Sequence, residues 1–141
     1  MIQRIQSVWL LLAAACAFLA YKTVQYTGTL LNGTQLKFVL ADHFLMVAYI
    51  IGLGTLSLVA IMLFKNRRAQ YRLTMTTLLL TVGFIFLEYY VIEDFKKVNS
   101  VQTGSYQIAA LLPVVMVIFL IFASRGIRRD QKLVKSLDRL R

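Results

Sequence analysis

Cysteine, proline, histidine and tryptophan each occur once in this chain, and acidic residues only six times. Each scarcity excludes something. A lone Cys16 rules out an internal disulfide and any set of thiolate metal ligands. A lone His43, with no second ligand near it in sequence, is a poor basis for a metal centre. It reads as an interfacial residue beside Asp42. One proline leaves the backbone free to form long helices. There is no nucleophile paired with a base, no glycine-rich phosphate loop and no Cys/His cluster. The residues therefore point to no catalytic group, no cofactor and no metal, and we expect the protein not to be an enzyme.

What the chain has in abundance is apolar surface. Fifty-nine per cent of its 141 residues are hydrophobic, and the mean hydropathy is +0.69. A soluble domain of this size could not hide so much apolar surface from water, whereas a bilayer supplies the missing interior. Four apolar runs stand out, at 5–21, 44–64, 73–92 and 108–123. Crossing the hydrocarbon layer takes about 20 helical residues, so the expectation is a four-helix membrane domain occupying 1–141. The first run also resembles a signal peptide behind Arg4. Three further spans follow it, and an uncleaved first helix is the expectation.

The positive charge sets the expected orientation. Sixteen Lys/Arg against six Asp/Glu give a formal net charge of +10. Twelve of the sixteen fall on one side of the four spans. They are Arg4, then Lys65, Arg67, Arg68 and Arg72, then Arg125, Arg128, Arg129, Lys132, Lys135, Arg139 and Arg141. The other side has Lys22, Lys37, Lys96 and Lys97, nearly balanced by Asp42, Glu93 and Asp94. In a bacterial inner membrane the basic side faces the cytoplasm, which predicts both termini inside. Trp9 and Tyr71 fit the inner aromatic belt; Tyr21, Tyr26, Tyr89, Tyr90 and Tyr106 fit the outer one.

Between the first two spans lies a hairpin signal. Asn32-Gly33 separates two strand-prone runs, predicting a periplasmic β-hairpin over 27–39 with both turn residues at positive φ. The segment 98–102 is a candidate third strand. Asn32-Gly33-Thr34 also spells a glycosylation acceptor, which the turn accounts for. Past residue 123 the pattern of Ile127, Leu133, Val134, Leu137 and Leu140 predicts a basic amphipathic tail helix over 125–141, with Asp138 able to pair with Lys135 and Arg141.

Within the spans, Glu88 is the sole acidic residue. Such residues are costly and read as functional by default. Counting from residue 73 places Glu88 about 22 Å along its helix, within reach of the outer headgroups or Lys22. Anchoring at that surface is the simpler reading; a proton or cation role is the other. Pro113 predicts a kink in the fourth span. Ala48 and Gly52, and Ala13 and Ala17, have the small-xxx-small spacing of close helix contacts. Thr74, Thr76, Thr77 and Thr81 can satisfy themselves on their own backbone.

The basic surface formed by Arg67, Arg68, Arg125, Arg128, Arg129, Lys132, Lys135, Arg139 and Arg141 is the candidate contact site. Anionic lipid headgroups rank first as its partner. A membrane-protein partner or a second copy ranks next, ribosomal RNA lower, and DNA is not expected. The leading functional expectation is a non-catalytic accessory or scaffold subunit of an inner-membrane assembly, in protein insertion, translocation or envelope biogenesis. The alternative is a small oligomeric transporter or channel using Glu88. A lipid-modifying enzyme would need Glu88, Glu93, Asp94 and His43 gathered at the outer face.

Both ends of the chain carry a resemblance. The opening Met1-Ile2-Gln3-Arg4-Ile5-Gln6-Ser7-Val8-Trp9-Leu10-Leu11-Leu12 is similar to that of a small Bacteroidetes membrane-protein family, classed as domain of unknown function 4293. So is the ending Arg128-Arg129-Asp130-Gln131-Lys132-Leu133-Val134-Lys135-Ser136-Leu137-Asp138-Arg139-Leu140-Arg141. Length and the four-span layout match as well. The chain departs from the family pattern at Gln131, where an acidic residue is usual, and at Trp9, where Tyr or Phe is. The resemblance implies an inner-membrane location and supplies no activity, cofactor or catalytic residue.

Overall fold

The computed structural model describes residues 2–30 and 32–138, with side chains over 5–30 and 32–131. Four helices carry the fold: α1 (Ile2–Lys22), α2 (Phe44–Met62), α3 (Arg67–Val98) and α4 (Leu112–Asp138). All four are long and apolar enough to cross a membrane, and this is a membrane protein. Each helix packs on its neighbours in the chain, and α4 closes against α1. The start of α1, the end of α4 and the α2–α3 turn therefore share one end of the bundle, here called the basic end. The opposite end carries three strands.

The inward faces explain the packing. On α3 the buried positions are Gln70, Thr74, Thr77, Thr81, Phe84, Glu88 and Ile92, an alternation of three and four residues that stays on one side of a helix. On α4 the buried face runs Met116, Leu120, Ala123, Ile127 and Asp130, so the bundle extends past the expected end of the span at 123. There is no break there; α4 is one helix to Asp138. Close approach of α1 and α2 occurs at Gly54, where a Cβ would lie 3.3 Å from the Ala17 Cβ and 3.0 Å from the Phe18 ring. Gly52, expected to serve this purpose with Ala48, instead faces open space, and Ala48 is exposed. Pro113 does not kink a span. It is the second residue of α4, after a short 3₁₀ turn at Ile108–Leu111, where a missing N–H costs nothing.

The strands are β1 (Val24–Thr29), β2 (Gln35–Val39) and β3 (Thr103–Tyr106), ordered β2-β1-β3 and antiparallel. The expected hairpin is present, but its turn differs. Gly33 has φ +74. Gly33 N donates to Leu30 O and Leu30 N to Thr34 O, both at 3.0 Å. This is the longer loop with one left-handed glycine, not the two-residue turn. The third strand lies at 103–106, not 98–102, because Val98 still belongs to α3. Asn99 caps that helix, and Ser100, at φ 49, reverses the chain. Val101 N then bonds Lys96 O and Ser100 N bonds Lys97 O, the paired bonds of a Schellman cap.

A bulge in β1 between Val24 and Tyr26 turns two successive residues, Gln25 and Tyr26, into the protein. Tyr26 packs edge-on against Tyr106, with ring centroids 5.2 Å apart, and shields the glycine pair Gly28 and Gly104. A Cβ on Gly104 would fall 2.0 Å from the Tyr26 hydroxyl.

Candidate functional site

At the basic end, side chains from three helices meet. Gln6 of α1 donates from Nε2 to Asp130 Oδ2 of α4 at 2.7 Å. Arg67, at the start of α3, donates to the Asp130 carbonyl at 3.3 Å, and Gln131 donates to the Arg67 carbonyl at 2.6 Å. Gly126 makes this possible: a Cβ there would sit 2.8 Å from Gln6 Cγ. Sequence reasoning missed the cluster. The heptad-like spacing from Met116 to Asp130 was its available signal, since it places Asp130 on the inward face.

Around this cluster stands the expected basic surface. Arg68, Arg125, Arg128 and Arg129 are exposed, while Arg67 is half-buried and engaged on backbone. Side chains of Lys132 and Lys135, and the whole of Arg139 and Arg141, lie outside the described residues, as does the pairing expected of Asp138. Arg68 and Arg72 also line a shallow groove of about 610 Å³ with Leu63, Asn66, Leu73 and Thr76. Two cations above apolar walls suit an anionic headgroup with its chains below.

The sheet end holds a second polar group. Lys96 Nζ bonds Glu93 Oε1 and Tyr106 OH at 3.1 Å, and Tyr106 OH donates to Glu93 at 3.3 Å. The ammonium also lies 4.9 Å and 4.6 Å from the ring centroids of Tyr26 and Tyr106, a cation–π arrangement that fastens the sheet to α3. His43 stacks on Phe38 at 4.9 Å.

Glu88 lies below that group, ten residues or about 15 Å from the end of α3. It is 4% exposed, so the expected anchoring to headgroups or to Lys22 does not occur. Helix α3 begins at Arg67, not near residue 73, and runs on to Val98, so the count from residue 73 understated the distance of Glu88 from both helix ends; the rotational phase, shared with Thr81, Phe84 and Ile92, turns the carboxyl inward. Its Oε1 has no hydrogen-bond partner, and the side chain lines a cavity of about 340 Å³. Of Glu88, Glu93, Asp94 and His43, only Glu88 lines it. The threonines on the same face between Glu88 and the basic end are self-contained: Thr74, Thr77 and Thr81 each donate to the carbonyl four residues earlier, as does the outward Thr76. Among the described residues no three His, Cys, Asp or Glu side chains come together as metal ligands.

Residues 2–140 match the family described as domain of unknown function DUF4293. The chain belongs to that family. No curated protein matches this member of it, and no solved structure does. The resemblance carried by the two ends of the sequence thus extends along the whole bundle, and DUF4293 brings with it no reaction or partner.

Proposed function

We propose that the protein is a non-catalytic accessory or scaffold subunit of a bacterial inner-membrane assembly, with both termini in the cytoplasm. Its setting would be protein insertion, translocation or envelope biogenesis. The observation that carries this reading is the division of labour at the basic end. The single buried acid there, Asp130, is held by Gln6, while Arg68, Arg125, Arg128 and Arg129 are exposed. Among the described residues no ion pair engages them. Positive charge that the fold does not consume is available to anionic headgroups first, and to an acidic face of a partner protein second.

Cross-linking and mass spectrometry of the tagged protein at native expression tests the reading. Co-purification of a larger membrane protein is expected. It should be lost when Arg125, Arg128 and Arg129 are changed to Gln, or when the chain stops after Gln131, which spares the Gln6–Asp130 bond. Recovery of the chain alone would overturn the proposal. Glu88 supports a second reading, a small oligomeric transporter or channel, because a buried carboxyl with a free oxygen is a natural ion-handling group. Unchanged flux in Glu88→Gln would remove it.

A further inference from the structure

We propose that the cavity at Glu88 is a binding site for a small single-chain amphiphile with a primary ammonium head. This inference rests on the cavity itself and holds under either functional reading above. The cavity's volume of about 340 Å³ is at the small end of the range of roughly 300–1,000 Å³ for small-molecule sites. That is room for one chain and not for a two-chain lipid.

Its lining is unequal in a way that selects the ligand. Ile85, Ile92, Ala110 and Leu111 give apolar walls. Three other polar side chains line it, Tyr89, Tyr106 and Gln107; Tyr89 is largely exposed at the rim, and the other two are engaged elsewhere. Tyr106 is held by Glu93 and Lys96, and the Gln107 amide donates to Thr27 Oγ1 at 2.8 Å. The buried acceptor without a donor in this lining is Glu88 Oε1. An unmatched acceptor in an apolar wall is a costly arrangement. A head rich in N–H donors and carrying positive charge satisfies it and balances the carboxylate. Gln25 Oε1 also lacks a donor, but Gln25 is not part of this lining.

The opening tells where such a ligand comes from. Tyr89, Ile108 and Leu111 at its rim are 59%, 87% and 57% exposed. Large apolar side chains presented outward at span height face lipid, so the ligand arrives from the sheet-side leaflet and not from water.

The test uses the full chain in nanodiscs of phosphatidylcholine, which has no primary amine. Binding of octylammonium and of 1-octanol is measured by equilibrium dialysis for wild type, Glu88→Gln and Ala110→Phe. Wild type should prefer octylammonium by about tenfold or more, the worth of one hydrogen bond to a charged group. Glu88→Gln should erase the preference, and Ala110→Phe, which fills the cavity and keeps the carboxyl, should abolish specific binding of both probes. Equal octylammonium binding in either variant and wild type overturns the proposal. Should Glu88→Gln fail to fold, Ala110→Phe decides alone. A parallel arm adds a single-chain lysophosphatidylethanolamine to the nanodisc: competition assigns the head chemistry to a single-chain membrane lipid, and its absence with octylammonium still bound assigns it to a free amine.

Discussion

Asp130 and Glu88 are the two buried acids of the described bundle, near opposite ends of it, and they are treated differently. Asp130 accepts from Gln6 at 2.7 Å and sits where α1, α3 and α4 are tied together. Glu88 has an oxygen with no donor and lines a cavity. The first is a fastening; the second is a vacancy in the hydrogen-bond network. Burial alone therefore does not mark a functional carboxyl. Burial together with a missing partner is what sets Glu88 apart.

The largest test of this contrast removes the fastening. Gln6→Leu takes the donor from a buried carboxylate and should lower stability by about 1.5–3 kcal/mol, read from unfolding in mixed micelles. No change would mean that Asp130 is no better held than Glu88. Gly104→Ala acts at the other end, on the sheet above Glu88. Its Cβ collides with Tyr26 and with the Thr27 carbonyl, 2.7 Å away, and a cost of about 1–3 kcal/mol is expected from overpacking. Faster proteolysis at Lys37 checks it. Ser100→Gly relieves the left-handed residue of the Schellman cap and should stabilise by about 1 kcal/mol, visible as a higher midpoint in the same assay. The smallest effect belongs to Glu88→Leu, which breaks no hydrogen bond at the free oxygen. Stability should stay within about 1 kcal/mol of wild type or rise; a loss comparable to Gln6→Leu would erase the distinction between the two acids.

The four spans were legible because hydropathy and length are one-dimensional properties. So was the hairpin, which Asn32-Gly33 announces locally. Less legible were features set by rotation about a helix axis or by a distant partner. Counting residues along the apolar run gave neither the ends of α3, which reaches from Arg67 to Val98, nor the phase of Glu88 relative to α4. β3 has no strand signature of its own in Thr103-Gly104-Ser105-Tyr106; it is a strand because β1 offers it an edge and Tyr26 covers its glycine. The basic amphipathic tail expected over 125–141 continues α4 as far as Asp138, but its packing was not legible: Ile127 and Asp130 are buried, because the bundle outlasts its apolar run by two turns. Arg68, Arg125, Arg128 and Arg129, picked out by charge alone, are exposed.

The position of β1 between β2 and β3 has a consequence for synthesis. β2 follows within a few residues, but β3 is made only after all of α2 and α3. Until residues 103–106 cross to the sheet end, the strand at 24–29 keeps one row of backbone groups without a mate. The sheet is therefore completed only once α3 is in place, which ties closure of that end of the bundle to the docking of the third helix.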